Sequence, residues 1–146
     1  MPYEFLTELS FSIAMIVNGG NEESTKTSLF DLEGNIKCTK NIGKFPRKLK
    51  TAAYSFFAGH PVICGGHHDD IKDANGYNIV ENRCWKFGNG KWTEFATMKK
   101  RRFGAQAFVV EDKLNVYGGV YRNTTTPTVN YDSYEIIDKN GNTLPS

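Results

Sequence analysis

Val62-Ile63-Cys64-Gly65-Gly66 and Asn115-Val116-Tyr117-Gly118-Gly119 are the stretches of sequence that decide the fold. Each is a short apolar run that ends in a pair of adjacent glycines. A third stretch of the same kind, Ile16-Val17-Asn18-Gly19-Gly20, precedes them, so the first glycines of the three pairs lie 46 and 53 residues apart. A period of about 50 residues is typical of repeated supersecondary units that bury their apolar faces by stacking on one another.

The runs around these glycines have the composition of short β-strands. They are rich in Val, Ile, Phe and Tyr and are bounded by Gly, Asn and Asp. Asn89-Gly90 is a strong two-residue hairpin signal, and Asn140-Gly141 has the same form near the end of the chain. Because no long segment has helical periodicity, the sequence predicts an all-β chain. The alternative to stacked repeats is another antiparallel sandwich.

The middle unit carries the ordered features of a known repeat. A strand-like segment at 51–57 leads through a turn into the second glycine pair, and Trp85 and Trp92 follow at a spacing of seven residues. Met98, a few residues ahead of Arg102, then precedes the next unit. This order resembles the kelch repeat, the four-stranded blade of a β-propeller. The resemblance implies three four-stranded antiparallel blades at about 1–45, 46–97 and 98–146, that is, a partial β-propeller.

The resemblance also assigns positions within the blades. For the middle blade it implies strands near 51–57, 61–65, 83–88 and 91–95, with each glycine pair at the end of a second strand. We expect the side chains of Trp85, Phe56, Val62 and Val116 to be largely buried. The motif positions are the three glycine pairs and three aromatic residues: Gly19, Gly20, Gly65, Gly66, Gly118, Gly119, Trp85, Trp92 and Tyr134.

Three blades are too few to close a propeller, which has about 4–8 blades around a central channel. An arc of three leaves two open flanks with apolar surface. The arc is therefore either a fragment of a longer propeller, which we favour, or half of a ring that two copies form by self-association.

The cysteines and one asparagine bear on the compartment. Cys64 and Cys84 fall on successive strands, where facing Cα atoms lie about 4.5–5.5 Å apart, within the range of a disulfide. We predict that they pair, which leaves Cys38 unpaired; the placement also resembles that of some secreted kelch-like proteins of invertebrates. Asn123-Thr124-Thr125 is an N-glycosylation acceptor. These features favour secretion, but residues 1–17 do not have the pattern of a signal peptide. The alternative is a cytoplasmic protein in which both cysteines are free thiols.

Composition and motifs exclude several function classes. The net charge of +2, from 18 basic and 16 acidic residues, gives no global electrostatic case for nucleic acid. No apolar run approaches the ~20 residues that a membrane span needs. The cluster at 67–70 (His67-His68-Asp69-Asp70) lacks a third ligand at matching spacing and is expected to be a solvated loop rather than a metal site. The basic run 99–102 is expected to be an inter-blade link. No catalytic motif is present, so we expect no enzyme activity and no cofactor.

The function that remains is a non-catalytic module that binds another protein through its rim loops, at 21–27, 67–82 and 120–132. The candidate contact residues in these loops are His67, His68, Tyr77, Tyr121 and Tyr131. The alternative is a fragment of an enzyme similar to galactose oxidase, whose kelch domain holds copper through Tyr and His ligands. The chain has these residue types but no matching motif.

Overall fold

The structure, a computed structural model, describes residues 13–17, 27–31, 43–123 and 125–146. The described residues form strands and turns and contain no helix, which confirms the predicted all-β class. In chain order the strands are β1 (Ile13–Val17), β2 (Thr27–Asp31), β3 (Leu49–Lys50), β4 (Ala53–Phe57), β5 (His60–Cys64), β6 (His67–Lys72), β7 (Asn78–Val80), β8 (Arg83–Gly88), β9 (Lys91–Thr97), β10 (Gln106–Val110), β11 (Lys113–Tyr117), β12 (Val120–Tyr121), β13 (Val129–Asn130), β14 (Tyr134–Ile137) and β15 (Thr143–Leu144).

Two four-stranded antiparallel sheets form the body of the described chain. Unit two has the order β4-β5-β8-β9, and unit three has the order β10-β11-β14-β15. The four strands predicted for the middle unit are confirmed, with boundaries that differ by no more than two residues. The glycine pairs at 65–66 and 118–119 directly follow β5 and β11, as predicted. Gly19 and Gly20 lie outside the described residues.

The expectation of three four-stranded units is only partly met. In the first unit the structure describes one two-stranded pair, in which β1 runs antiparallel to β2. Each of the other units adds strands within its long central connection. In unit two β6 pairs with β7, and also with β3 from the segment ahead of β4; in unit three β12 pairs with β13. The predicted boundaries at 46–97 and 98–146 stay predictions, although the sheets of units two and three fall inside them.

The second glycine of the pairs at 65–66 and 118–119 is needed because another segment passes close to its Cα. A Cβ on Gly66 would lie 2.9 Å from the carbonyl oxygen of Lys50, and one on Gly119 would lie 2.8 Å from that of Phe103. Both residues also have positive φ, 97° and 85°, in a region that L side chains rarely adopt. The repeated glycines therefore mark the place where the link from the preceding unit crosses the sheet.

An apolar core fills the space between the two units. Ala53, Phe57 and Val62 of unit two are buried together with Leu114 and Val116 of unit three. The Cys64 and Cys84 sulfurs lie at bonding distance, 2.08 Å, within this core, in agreement with the predicted disulfide. Cys38 lies outside the described residues.

A second core lies on the opposite face of unit two. Phe45, from the segment ahead of β3, packs edge-on against Trp85 and Trp92, with ring centroids 5.2 Å apart in both cases. The predicted burial of Trp85, Val62 and Val116 is confirmed, and Trp92 is buried as well.

The predicted burial of Phe56 is wrong. Its side chain is 65% exposed, whereas Phe57, the next residue, is buried. Side chains alternate between the two faces of a strand. In β4, Ala53 and Phe57 face unit three, so Tyr54 and Phe56 necessarily point the other way.

Tyr134, a predicted motif position, is the first residue of β14 but does not lie in a core. It pairs with Tyr117 across β11 and β14, at the place where unit two has Cys84 opposite Cys64. Both tyrosines are exposed, together with Phe108 and Val110 on the same face of unit three. We call this set of four residues the outer face of unit three.

Replacing Trp85 by Ala is expected to destabilise the protein by about 3–5 kcal/mol, because it removes a large buried ring and leaves a cavity. Phe56→Ala is the matched control, expected to change stability by no more than about 0.5 kcal/mol, since its ring is exposed. Urea unfolding of the two variants measures both values. Equal losses would contradict the assignment of the two faces of unit two.

Candidate functional site

All the long connections of units two and three lie at one edge of the sheets. The 65–82 and 118–133 connections and the 98–105 link start and end there, and we call this the loop edge. The opposite edge has only tight turns, at 58–59, 89–90, 111–112 and 138–142. Because binding residues concentrate on loops held by a rigid scaffold, the loop edge is the candidate functional surface.

The connections from the two units touch each other. A guanidinium nitrogen of Arg101, in the link, donates a hydrogen bond of 2.8 Å to the carbonyl oxygen of Val80 in β7. The guanidinium of Arg122 lies 5.5 Å from the ring centroid of Tyr77, in the turn between β6 and β7. The loop edge is therefore one continuous surface rather than two separate loops.

His68 is not in a solvated loop, as the sequence predicted, but on the strand β6 with 4% of its surface exposed. Its Nε2 lies 3.1 Å from Oε2 of Glu81, whose residue is 1% exposed. Arg83 completes the cluster with a 2.8 Å hydrogen bond to the same carboxylate oxygen. The 67–82 connection folds as a hairpin of β6 and β7 and places His68 against Glu81, so His68 is buried although Asp70 and Lys72, the next alternate residues of β6, are exposed.

The carboxylate of Glu81 is held in its ionised form. Burial alone would raise its pKa, but hydrogen bonds from His68, Arg83 and the backbone N–H groups of Asn82 and Arg83 outweigh burial and lower the pKa far below its ordinary value. A buried, ionised carboxylate with this many donors fixes the geometry of the start of β8.

A second buried ion pair joins the link to unit three. Arg102, which is fully buried, donates to Glu135 at 3.1 Å and to the carbonyl oxygens of Gly118 and Ser133 at 2.7 and 3.1 Å. Glu135 also accepts hydrogen bonds from the backbone N–H groups of Lys99 and Lys100. These contacts confirm that the basic run at 99–102 serves as a link between units.

The remaining predicted contact residues lie at the loop edge in different settings. His67 is half-buried: its Nδ1 lies 2.9 Å from Oγ1 of Thr51, and its ring packs edge-on against Phe103. Burial, followed by the charge of Lys50, lowers the pKa of His67. The ring of Tyr131 lies 4.9 Å from the Lys100 ammonium and 4.7 Å from the Arg102 guanidinium. Tyr77 is exposed.

A small cleft separates the two connections. It has a volume of about 170 Å³ and is lined by the β6–β7 turn and β7, by the link, and by β12 with the two residues after it. The lining residues are mainly polar: Asp73, Asn78, Arg101, Tyr121, Arg122 and Asn123, with Ile79 and Val80. This cleft contains one of the predicted contact residues, Tyr121. Sequence reasoning did not identify the two arginines in it.

The predicted glycosylation acceptor, Asn123, is one of the residues that line this cleft. Its Nδ2 donates to the hydroxyl oxygen of Tyr121 at 2.7 Å, and its Oδ1 accepts from the backbone N–H groups of Thr125 and Thr126. The acceptor side chain thus caps a turn. Its modification by a sugar stays a prediction.

Among the described residues, no group of three or more His, Cys, Asp and Glu side chains is arranged to hold a metal ion. None of the described segments forms a helix long and apolar enough to cross a membrane. The first predicted loop, 21–27, lies outside the described residues except for Thr27.

No protein-family model matches this sequence, and no curated protein matches it. The fold, by contrast, is similar to that of solved structures. "Structure of YjhT" matches with a TM-score of 0.59 and 21% sequence identity over 77% of this chain and 33% of that chain. This likeness shows an all-β fold shared with YjhT, and the matched part is about one third of the YjhT chain.

Replacing Glu81 by Gln is expected to cost about 3 kcal/mol at pH 7, because Arg83 and His68 lose a buried carboxylate partner. The pKa of Glu81 is lower in the folded protein than its ordinary value of 4.5, so its contribution is complete at neutral pH and declines as the pH falls below 4.5. The difference between wild type and variant should therefore narrow on acidification.

Urea unfolding of wild type and Glu81→Gln at pH 7, 5 and 3 measures this difference. Glu94→Gln is the control, because its carboxylate is half-exposed and is 3.5 Å from the Arg83 Nε. A difference that stayed constant down to pH 3 would show that ionisation of Glu81 is not what stabilises the fold.

Proposed function

We propose that this chain is an arc of kelch-type propeller blades that binds another protein, without catalysis, through the loop edge of units two and three. The observation that carries the proposal is the asymmetry of the two edges. Two long connections and a link meet at one edge, whereas the other has tight turns alone. A rigid pair of sheets with all its variable loops on one side is suited to recognition.

The chemistry of the loop edge supports this assignment. Ile71, Tyr77 and Val129 are large apolar residues that the hairpins expose there. Arg101 and Arg122 are exposed at the same edge, and the Arg122 guanidinium lies 5.5 Å from the Tyr77 ring centroid. Tyrosine and arginine are enriched at protein interfaces, where their side chains combine contact area with hydrogen-bond donors.

The assignment to propeller blades rests on three supporting features. The glycine pairs end the second strands of units two and three. Trp85 and Trp92 are buried in one core. The fold is similar to that of YjhT. Since a fold alone does not determine a function, the binding role depends on the loop edge and not on this likeness. The Cys64–Cys84 disulfide suits an oxidising compartment and supports secretion.

We also propose that two copies associate through the outer face of unit three. The equivalent positions of unit two, among them Phe57, Cys64 and Cys84, are buried by unit three, whereas Val110, Tyr117 and Tyr134 are exposed. A contiguous apolar sheet face of this kind favours packing against a further sheet.

Sedimentation velocity tests this association. The wild type is expected to sediment as a dimer or larger species, and Tyr117→Ser combined with Tyr134→Ser should increase the monomer fraction. Tyr77→Ser at the loop edge is the control and should leave the distribution unchanged. A wild type that sediments as a compact monomer would contradict the proposal.

Binding at the loop edge can be tested with random peptides displayed on phage and selected on the immobilised wild-type protein. We expect the selected peptides to bind Ile71→Ser combined with Tyr77→Ser at least about 10-fold more weakly, since central aromatic contacts dominate interface energies. Lys139→Ser, in a tight turn of the opposite edge, should bind as the wild type does. Selected peptides that bind all three proteins equally would place recognition elsewhere.

A further inference from the structure

Four arginines lie at the loop edge, and they fall into two pairs. Arg83 and Arg102 have carboxylate partners, Glu81 at 2.8 Å and Glu135 at 3.1 Å. Arg101 and Arg122 have none within ion-pair distance among residues 43–123 and 125–146. Both of these line the cleft between the β6–β7 hairpin and β12.

The two unpaired guanidinium groups are held in place by the fold. Arg101 uses one of its five N–H donors on the carbonyl oxygen of Val80 at 2.8 Å, which leaves the others available. Arg122 is positioned over the ring of Tyr77 at 5.5 Å, a contact that leaves the in-plane donors of the guanidinium unused. Preorganisation of this kind lowers the entropy cost of binding an anion.

Tyr121 adds a hydroxyl donor to the same cleft. Its oxygen accepts a hydrogen bond of 2.7 Å from Nδ2 of Asn123. A phenol that already accepts one hydrogen bond still has its own O–H to donate. The lining of the cleft thus contains two guanidinium groups and a hydroxyl, all of which donate hydrogen bonds to carboxylate oxygens.

One lining residue opposes an anion. Asp73 carries a negative charge, although its Oδ1 accepts from the backbone N–H groups of Asn75 and Tyr77 and so serves the hairpin turn. Two guanidinium groups and one carboxylate give the cleft a net charge of about +1, which matches a single carboxylate better than a doubly charged phosphate. The volume of about 170 Å³ equals that of five to six liquid waters, enough for the end of one acidic side chain.

We propose that this cleft is a carboxylate-binding subsite, in which Arg101, Arg122 and Tyr121 receive one Asp or Glu side chain of the partner. The proposal rests on the proposed function, because it names the chemistry that the partner presents to the loop edge. Arg101 and Arg122 are the specificity-determining residues, and each can form the two parallel N–H···O bonds that favour arginine at carboxylates.

The test uses N-acetyl-glutamate amide as the probe and N-acetyl-glutamine amide as its uncharged isostere, with the full chain labelled with ¹⁵N. Titration should shift the side-chain Nε–Hε signals of Arg101 and Arg122 in a saturable way with the glutamate probe, with a dissociation constant in the millimolar range. The glutamine probe should shift them at least 10-fold less at the same concentration. Equal shifts by both probes would overturn the proposal.

Two further probes test which kind of anion the cleft binds: an acidic side chain, the carboxylate of a chain end, or phosphate. N-acetyl-glycine presents the carboxylate of a chain terminus, and inorganic phosphate presents a different anion. The proposal expects both to bind more weakly than N-acetyl-glutamate amide. Tighter binding of phosphate would show an anion site of another class, and tighter binding of N-acetyl-glycine would show recognition of a chain end; either result would overturn the assignment to an acidic side chain.

Matched variants assign the effect to the cleft. Arg101→Gln combined with Arg122→Gln should weaken binding of the glutamate probe at least 10-fold. Arg47→Gln should not, because within the described part of the chain the Arg47 guanidinium donates its hydrogen bond to the carbonyl oxygen of Pro46 and lies outside the cleft lining. If the double Gln variant does not fold, Arg101→Lys combined with Arg122→Lys keeps both charges without the planar fork. Undiminished binding by the Lys variant would show that the guanidinium forks are not required and would overturn their assignment as the specificity-determining groups.

The outcomes separate this inference from the proposed function. If the glutamate probe does not bind while displayed peptides still lose affinity for Ile71→Ser with Tyr77→Ser, the carboxylate subsite is wrong and the loop edge remains the binding surface. If the probe binds at the arginine pair while displayed peptides ignore the loop edge, the subsite stands and the protein-binding function fails.

Discussion

The buried ion pair between Arg102 and Glu135 is the interaction on which the arrangement of units two and three depends. Arg102 belongs to the link, and its guanidinium binds Glu135 and two carbonyl oxygens of unit three. Its own carbonyl oxygen accepts a hydrogen bond from Gly66 of unit two at 2.9 Å. One residue thus connects both sheets. A buried charge without its partner is strongly unfavourable, so this contact fixes the position of the link relative to the two sheets.

The fold could be predicted from sequence wherever a short stretch of residues is compatible with only one local structure. The glycine pairs and Asn89-Gly90 indicated where strands end, and facing positions on β5 and β8 indicated the disulfide. Phe56 shows the limit of this reasoning. The strand was predicted correctly, but the side of the sheet that carries its buried residues was not. The run Tyr54–Phe57 has large residues at both odd and even positions, so only packing against the neighbouring unit decides which of them are buried.

The candidate site was less accessible to sequence reasoning, for a related reason. Polar stretches such as 67–70 look solvated, and nothing local shows that a hairpin folds back and buries His68 against Glu81. Glu81 lies two residues before β8, and Glu135 is the second residue of β14. A single acidic residue at such a position does not by itself indicate a buried ion pair, because its arginine partner is set by the tertiary fold. Arg101 and Arg122 are far apart in sequence and meet only because the link and β12 lie at the same edge.

The position of the disulfide has a consequence for how the molecule opens. Cys64 and Cys84 are almost fully buried, and the core that shields them includes Leu114 and Val116 of unit three. A water-soluble reductant can reach the sulfurs only when the two units part. The rate of reduction therefore reports how often the interface opens, in the same way that amide exchange reports local unfolding. Measuring the rate at which the disulfide is reduced therefore gives the frequency with which the two sheets separate, and it needs no labelling of the protein.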